Sequence, residues 1–287
     1  MKLLSFKTSA RTSFGRIESC GESVGESDGV VDLGRRLGGK YADLRRLLEG
    51  GGLAEAAAET GADHRLEDIT YLPVIPNPRR IICIGLNYKD HVAEMASDLP
   101  SYPSLFSKWP DALVGHGADV VRPAVSEHYD FEGELALVIG KPGRHISEDQ
   151  AMSHIAGYAP FLDGSVRDFQ KQSVIAGKNF QHSGACGPWM TTADEVVDPT
   201  SLQLTTRLND QVVQDASTSQ LIYSIPTIIA YISQFTQLHP GDVIATGTPS
   251  GVGAGRTPPL WMQPGDRIEV EISGLGRLSN NVVAEVI

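Results

Sequence analysis

From residue 80 onward the chain alternates short strand-like runs with turn signals, and this pattern limits the fold more than any other feature. The runs are IICIGL, LALVIG, HIAGYAPFLD, LQLTTRLN, DVIATG, RIEVEISG and NNVVAEV. Two of them follow the same Pro-Gly-Asp turn, in HPGDVIATG and QPGDRIEVEI. Helical segments are fewer and do not alternate regularly with the strands: NYKDHVAEMA, SEDQAMSHI, SVRDFQKQ and SIPTIIAYISQF. The pattern therefore predicts a β-rich α+β fold rather than a doubly wound parallel sheet.

The first seventy residues have a different texture and predict a small α+β unit. KLLSFK and RTSFGRIE are typical of strands in a hairpin or meander, whereas residues 30–59 read as helix-rich and are broken by glycines. Three prolines (Pro73, Pro76 and Pro78) then indicate an extended connection, since each restricts the residue before it. We therefore predict a small N-terminal domain over residues 1–72 and a larger domain over residues 73–287.

Composition and charge exclude several classes of protein. The 287 residues include 24 Lys and Arg against 35 Asp and Glu, which gives a formal net charge of −11. This acidic balance, without a run of basic residues, argues against a nucleic-acid partner. Cys20, Cys83 and Cys186 form no C-x-x-C pair and favour a reducing compartment, and Cys186 is expected to be a buried thiol. Neither a signal-peptide core nor a membrane-spanning run is visible, so we expect a cytoplasmic protein.

A pair of carboxylates interrupts the apolar run YDFEGELALVIG. Glu132 and Glu134 stand two residues apart, so in a strand both side chains project from one face. Two carboxylates persist side by side in a cleft if one is protonated or if a cation neutralises them. Asp163 ends another apolar run, a position from which side chains often enter active sites. The three are candidate ligands of a hard cation such as Mg²⁺, Mn²⁺ or Ca²⁺, and the alternative is a solvated strand face.

Three further motifs contain residues that suit acid–base chemistry or the binding of an acid. NYKDHVAEM places His91 and Glu94 on one face of a helical turn, where the carboxylate would orient an imidazole that deprotonates water. The alternative for this pair is an exposed polar face. In DGSVRDFQ, the fork of Arg167 suits a carboxylate, either that of a substrate or that of Asp163, and Gln170 lies three residues further on. The alternative for Arg167 is a structural ion pair inside the helix. Taken alone, Lys178 in IAGKNF reads as a solvated lysine.

The glycine-rich stretch ATGTPSGVGAG matches neither the P-loop pattern nor the dinucleotide-binding fingerprint. Its glycines favour a close approach of the backbone to a ligand. Taken in order, ICIGLNYKDHVAEM, DFEGELALVIGK, GYAPFLDGSVRDFQ, AGKNF and ATGTPSGVG resemble the successive motifs of the fumarylacetoacetate hydrolase superfamily. The resemblance is close over residues 80–287. It implies a mixed β-sandwich roll, usually dimeric, with Mg²⁺ bound by Glu132, Glu134 and Asp163.

The resemblance also implies roles for the other motif residues. His91 and Glu94 would activate water from a short helix that closes over the substrate. Lys178 would stabilise the charge that develops on an enolate. The residues implied to border the substrate are Arg167, Gln170, Gly247 and Thr248.

The superfamily includes hydrolases, decarboxylases, hydratases and isomerases, so the resemblance leaves the reaction open. Our first hypothesis is metal-dependent C–C hydrolysis of a 2,4-diketo acid to pyruvate and a carboxylic acid. The substrate would be an acylpyruvate such as fumarylpyruvate or maleylpyruvate, or a sugar-derived 2,4-diketo-3-deoxy acid. The alternative is an oxaloacetate decarboxylase, or an isomerase or hydratase of an unsaturated 2-oxo-dioic acid in aromatic catabolism.

Three residues bear on the substrate. Leu86 stands where some acylpyruvases of the superfamily have arginine, which disfavours short acidic substrates such as oxaloacetate. Arg256 and Trp261 lie in a longer loop, GVGAGRTPPLWMQPGD, and are candidates for the distal pocket or for a subunit contact.

Overall fold

The computed structural model describes residues 1–19, 28–95 and 98–287, so Cys20 lies outside the described residues. The strands are β1 (Lys2–Lys7), β2 (Thr12–Glu18), β3 (Gly29–Asp32), β4 (His64–Arg65), β5 (Thr70–Tyr71), β6 (Ile81–Gly85), β7 (Ser104–Ser107), β8 (Leu113–Val114), β9 (Val120–Arg122), β10 (Tyr129–Asp130), β11 (Gly133–Ile139), β12 (Ile155–Leu162), β13 (Ser165–Val166), β14 (Gly184–Cys186), β15 (Met190–Thr192), β16 (Gln203–Leu208), β17 (Gln211–Ser217), β18 (Val243–Ala245), β19 (Arg267–Ile272) and β20 (Gly276–Ala284). The α-helices are α1 (Leu33–Arg36), α2 (Leu44–Glu49), α3 (Leu53–Ala58), α4 (Lys89–Glu94), α5 (Glu148–Ala151), α6 (Arg167–Gln170), α7 (Val174–Lys178) and α8 (Ile225–Phe235).

Two mixed sheets form the framework of the fold. The larger sheet has thirteen strands, and its main path runs β4-β3-β2-β1-β15-β12-β11-β18-β6-β7. The smaller sheet has five strands in the order β17-β16-β19-β20-β9. Most pairings are antiparallel, but β18 pairs with β6, and β20 with β9, in parallel. The strand-rich, mixed arrangement confirms the predicted α+β fold.

The central strands β11 and β12 lie in the core, and every residue in them is buried. Apart from Glu134, all of these residues are apolar or small, which favours their burial. Gly133, at the start of β11, fixes how the smaller sheet packs on them. A Cβ atom at this position would lie 2.1 Å from Oγ1 of Thr206 in β16, so only glycine allows this approach. The smaller sheet therefore covers the Gly133 side of β11. Glu132 and Glu134 project from the opposite side.

The N-terminal strands continue the larger sheet. KLLSFK and RTSFGRIE form β1 and β2, as predicted, and β1 also pairs with β15, with Leu3 opposite Met190. The segment Gly29–Asp32 is strand β3, although the sequence reading included Val30 and Val31 in a helix-rich region. These β-branched residues pair with β2, which favours the strand. The domain boundary at residue 72 stays a prediction.

Candidate active site and metal centre

The three predicted carboxylates meet at the ends of β11 and β12. Glu132 and Glu134 flank Gly133, and Asp163 follows β12, whose Leu162 lies opposite Gly133. The backbone N–H of Asp163 donates to the carbonyl oxygen of Glu132 over 2.8 Å, which joins the two strand ends. One carboxylate oxygen from each residue lies within 4.8 Å of the others, and all three residues are buried. Because the three residues are buried, the solvated-face alternative is wrong. Their oxygen-only donor set suits a hard divalent cation.

Two buried lysines hold Asp163 from either side. Nζ of Lys178 lies 2.6 Å from Glu132 Oε2 and 2.9 Å from Asp163 Oδ2, so the solvated alternative for this lysine is also wrong. Nζ of Lys108 lies 2.7 Å from Asp163 Oδ1 and donates to the carbonyl oxygens of Gly164 and Lys178. Each ammonium is therefore paired, as a buried charge must be. Sequence reasoning missed Lys108, because a single lysine after a short strand forms no recognisable motif.

Arg167, in the first turn of α6, makes buried ion pairs within the protein. Its Nε lies 2.7 Å from Asp130 Oδ2, and a terminal nitrogen lies 2.8 Å from Glu132 Oε1. The other terminal nitrogen donates to Gln170 Oε1 over 2.9 Å. The structure thus contains ion pairs of Arg167, but their carboxylates lie outside helix α6, whereas the sequence suggested Asp163 or a partner inside the helix. Direct contact of Arg167 or Gln170 with a substrate stays a prediction.

The carboxylates of the centre differ in their electrostatics. Burial favours the neutral form of Glu132, but attraction to Lys178 and Arg167 outweighs burial and lowers the pKa of Glu132 to about 2. The pKa of Glu134 is raised well above its usual value, first by burial and then by repulsion from Asp163 and Glu132. Glu134 is therefore the carboxyl group that a proton or a bound cation must neutralise.

A count of charges over the whole cluster also indicates that one carboxylate, Glu134, lacks a compensating cation. The buried acidic groups are Asp130, Glu132, Glu134 and Asp163. The buried cations paired with them are Lys108, Arg167 and Lys178. With every group ionised, four negative and three positive charges leave one negative charge. Of the four carboxylates, Glu134 has no ion pair in the described part of the chain.

His91 and Glu94 form a hydrogen-bonded pair on α4. Nδ1 of His91 lies 3.2 Å from Glu94 Oε2, and Glu94 Oε1 accepts a hydrogen bond of 2.9 Å from the backbone N–H of Gly251. Burial favours the neutral form of Glu94, but the hydrogen bonds from His91 and Gly251 outweigh burial, so the pKa of Glu94 is lowered. An ionised carboxylate can only accept, so Nδ1 of His91 carries the proton. In a neutral ring, Nε2 is then free to act as a base.

The glycine-rich segment after β18 contacts both the Glu134 side chain and the backbone of β11. The N–H of Gly247, where φ is +101°, donates to Glu134 Oε2 over 2.8 Å. The hydroxyl of Thr248 donates to the carbonyl oxygen of Gly133 and accepts from Nε2 of Gln214. Sequence reasoning missed Gln214, which lies 34 residues before its partner Thr248. Binding of a substrate carboxylate by Gly247 and Thr248 stays a prediction.

A cavity of about 250 Å³ opens between these groups. Its polar lining consists of Glu132, Arg167, Gln170, Lys178, His91 and Thr248, with Ser104 beside them. Its apolar lining consists of Ile84, Leu86, Met95, Phe106 and Val174. Neither Arg256 nor Trp261 belongs to the lining. The structure therefore places most of the predicted catalytic and substrate-binding residues around one small space.

The two cysteines in the described ranges are not nucleophiles. Cys83 and Cys186 are free and buried. Burial raises the pKa of the Cys186 thiol to about 12, so the thiolate is scarce at neutral pH. The expectation of a buried thiol at position 186 agrees with the structure.

Comparison with known proteins gives the family. The family described as fumarylacetoacetate (FAA) hydrolase C-terminal matches residues 80–283. The chain therefore belongs to the fumarylacetoacetate hydrolase superfamily, whose members are enzymes, and the resemblance drawn from the motifs is confirmed.

Two relatives are named for the same enzymatic activity. Human mitochondrial oxaloacetate tautomerase FAHD2A is 37% identical over 272 residues, which cover 92% of this chain and 87% of that protein. Oxaloacetate tautomerase YisK of Bacillus subtilis (strain 168) is 41% identical over 226 residues, which cover 76% of this chain and 75% of that protein.

Solved structures show the same fold over the whole chain. A putative HpcE protein from Mycobacterium smegmatis superposes with a TM-score of 0.87 at 32% identity, and the match covers 100% of both chains. Maleylpyruvate hydrolase from Sphingobium sp. SYK-6, in complex with manganese(II) ion and pyruvate, superposes with a TM-score of 0.80 at 31% identity, again over 100% of both chains. No helix in residues 1–19, 28–95 and 98–287 has the length and apolar character to cross a membrane.

Proposed function

We propose that the protein is a divalent-metal-dependent enzyme that transfers a proton between carbon and oxygen of a small 2-oxo acid, and that its reaction is the keto–enol tautomerisation of oxaloacetate. One observation supports this proposal above all: Glu132 of the carboxylate cluster, Lys178 and His91 line the same cavity of about 250 Å³. Glu134 and Asp163 lie beside Glu132, and Glu94 is hydrogen-bonded to His91. The relatives named oxaloacetate tautomerase, at 37% and 41% identity, support the choice of reaction. This choice departs from the expectation that Leu86, which lines the cavity, disfavours oxaloacetate.

The residues present fit a divalent ion, because Glu132, Glu134 and Asp163 offer three buried oxygen ligands around an uncompensated negative charge. When bound, such an ion would act as a Lewis acid toward the 2-oxo group and orient the adjoining carboxylate. Lys178 stands beside two of these ligands. Its fixed positive charge stabilises an oxygen atom that becomes negative during the reaction.

His91 supplies the proton transfer. Its Nε2 takes the proton from C3 of the keto form, and the same proton is returned to the enolate oxygen, so atoms and charge balance. Glu94 holds Nδ1 and, as an ionised carboxylate, stabilises the imidazolium that forms in between. The small cavity favours a short acid, because pockets for drug-sized ligands typically exceed about 300 Å³.

The test follows the loss of the ultraviolet absorbance of enol-oxaloacetate with metal-depleted protein, with and without added Mg²⁺ or Mn²⁺. We expect a rate above that of buffer that is lost in chelator and restored by the metal. His91→Asn should reduce the metal-dependent rate by about 100-fold or more, since general acid–base groups typically contribute that much. A rate equal to that of buffer, or full activity in chelator, would refute the proposal.

A second candidate is our original hypothesis, hydrolysis of a 2,4-diketo acid. The full-length likeness to maleylpyruvate hydrolase favours it, since His91 and Glu94 could equally activate water. A screen for pyruvate release from fumarylpyruvate, maleylpyruvate and related acylpyruvates tests it. Pyruvate from these acids without tautomerase activity would favour the hydrolase, and CO₂ from oxaloacetate would favour a decarboxylase.

Three further properties belong to the proposal. We expect Mg²⁺ to be the metal, with Mn²⁺ or Ca²⁺ as alternatives, because hard oxygen ligands accept all three. We expect a homodimer, which light scattering after gel filtration would measure. A cytoplasmic location is expected from the cysteine usage of the sequence and is checked by cell fractionation.

A further inference from the structure

Arg256 fastens the glycine-rich loop to the smaller sheet. Its Nε and one terminal nitrogen both donate to the carbonyl oxygen of Gly251, over 3.1 and 2.9 Å. The same terminal nitrogen donates to the carbonyl oxygen of Val213 in β17, over 2.7 Å. One guanidinium thus joins a loop carbonyl to a strand carbonyl. The planar fork of arginine suits this, whereas lysine lacks it.

Gly251 is held from both sides of its own backbone. Arg256 binds its carbonyl oxygen, and its N–H donates to Glu94 Oε1 over 2.9 Å. Its φ of +104° favours glycine, and a Cβ atom would lie 2.1 Å from the carbonyl oxygen of Val213. The residue is therefore pressed against β17, and Arg256 is the side chain that keeps it there.

Hydrogen bonds connect Gly251 to the imidazole of His91 through the carboxylate of Glu94. Glu94 accepts from Gly251 through Oε1 and from His91 Nδ1 through Oε2. The next part of the loop is held separately, because the N–H groups of Gly253 and Ala254 both donate to the carboxylate of Asp130. Loss of the Arg256 side chain would therefore release Gly251 locally without freeing the whole loop.

We propose that Arg256 is a positioning residue for His91, acting through Gly251 and Glu94. It lies outside the cavity lining and so acts on the orientation of the imidazole rather than on the substrate. The inference rests on the proposed function in one respect, the role of His91 in proton transfer. Arg256 does not line the cavity, and the subunit contact that the sequence suggested for it stays a prediction.

The test compares Arg256→Ala with Arg144→Ala, a matched control. Arg144 is exposed and also donates to the backbone carbonyl of a neighbouring segment, at Gln234, beyond the opposite end of β11. Two measurements are made on the full-length protein. The ¹⁵N resonances of His91, assigned with His91→Asn, report the Nδ1 hydrogen bond, and steady-state kinetics separate kcat from KM.

For Arg256→Ala we expect a shifted or broadened His91 Nδ1 resonance and a kcat about 10- to 100-fold lower, because small misplacements of a catalytic group have effects of this size. KM should stay within about twofold, since mutations that remove transition-state interactions alone lower kcat. Added guanidinium should restore part of kcat. Arg144→Ala should change neither the resonance nor kcat.

Three results would overturn the inference: an unchanged His91 resonance, an unchanged kcat, or a raised KM with normal kcat, which would place Arg256 in substrate binding. If Arg256→Ala does not fold, Arg256→Lys decides, since lysine can reach one of the two carbonyls and should shift both readouts by less in the same direction. Wild-type protein without tautomerase activity would contradict the proposed function, whereas the resonance measurement would still test the inference.

Discussion

Replacing Gly133 with alanine would push the carboxylate cluster away from the smaller sheet. The added Cβ would lie 2.1 Å from Thr206 Oγ1, and 3.3 Å from both Gln214 Oε1 and Val270 Cγ1. Thr206 is fully buried and has a short side chain, so it cannot turn out of the way. The strand that carries Glu134 must therefore move.

The size of the effect follows from that distance. Real Cβ contacts are essentially never shorter than 3.0 Å, so the separation must grow by at least 3.0 − 2.1 = 0.9 Å. Overpacking a well-packed core costs about 1–3 kcal/mol, and a shift of this size against a buried side chain belongs in the upper part of that range. Alanine regains about 0.5–1 kcal/mol because it loses less backbone entropy than glycine. We expect a net loss of about 2 kcal/mol in the free energy of unfolding.

Urea unfolding of Gly133→Ala, Thr206→Ala and the double variant measures the effect as a double-mutant cycle. Thr206→Ala removes Oγ1, which has no hydrogen-bond partner within the described ranges. The free energy of unfolding of the double variant should therefore exceed the value predicted from the two single effects by about 1 kcal/mol or more. Mn²⁺ affinity should fall in Gly133→Ala and partly recover in the double variant, because the contacts at 3.3 Å remain. Additive single effects would refute the reasoning.

Further predictions concern the buried charges. Lys108→Met should lower the free energy of unfolding by about 3 kcal/mol, because it removes one partner of a buried carboxylate, whereas exposed Lys141→Met should change it by less than about 0.5 kcal/mol; urea unfolding measures both. A carboxyl group whose pKa is lower in the folded protein than in the unfolded chain stabilises the fold. This stabilisation is complete above the pKa of the unfolded chain and is lost as the pH falls through the pKa of the folded protein. Burial alone would raise the pKa of Glu94, but the hydrogen bonds from His91 and Gly251 outweigh burial, so the net pKa is lowered. The thermal midpoints of wild type and Glu94→Gln should therefore converge below about pH 4.5. Because burial and two neighbouring carboxylates raise the pKa of Glu134, Mn²⁺ binding should release protons, and the release should grow as the pH is lowered. Calorimetry in buffers of different ionisation enthalpy detects these protons, and a heat independent of the buffer at every pH would contradict this prediction.

Elements with strong local signals could be predicted from the sequence. The buried runs of β11 and β12 have continuous apolar residues, and α8 begins where Ser224 accepts from the N–H of Thr227, with a proline in the first turn. Short strands could not be predicted in this way. β7, β14 and β15 have three or four residues each and exist because distant strands pair with them.

Some residues of the candidate site could also be predicted from the sequence, and others could not. Glu132 and Glu134 could be placed together because the period of a strand is fixed, and Asp163 because it ends a buried run. Lys108 lies 55 residues from Asp163 and carries no pattern that marks it as buried. Arg256 acts on backbone carbonyl groups, and a sequence does not show which carbonyls will lie near a given arginine.

The charge balance of the centre bears on the order in which ligands bind. With Glu134 protonated, as its raised pKa favours, three ionised carboxylates balance three cations, and the cluster has no net charge to attract an anionic 2-oxo acid. A divalent ion that replaces this proton would give the cluster a net charge of −1 + 2 = +1. In a buried site such a change decides whether an acid is attracted, because water screens the charges poorly there. The ion should therefore bind first, and the affinity for the acid should depend on it.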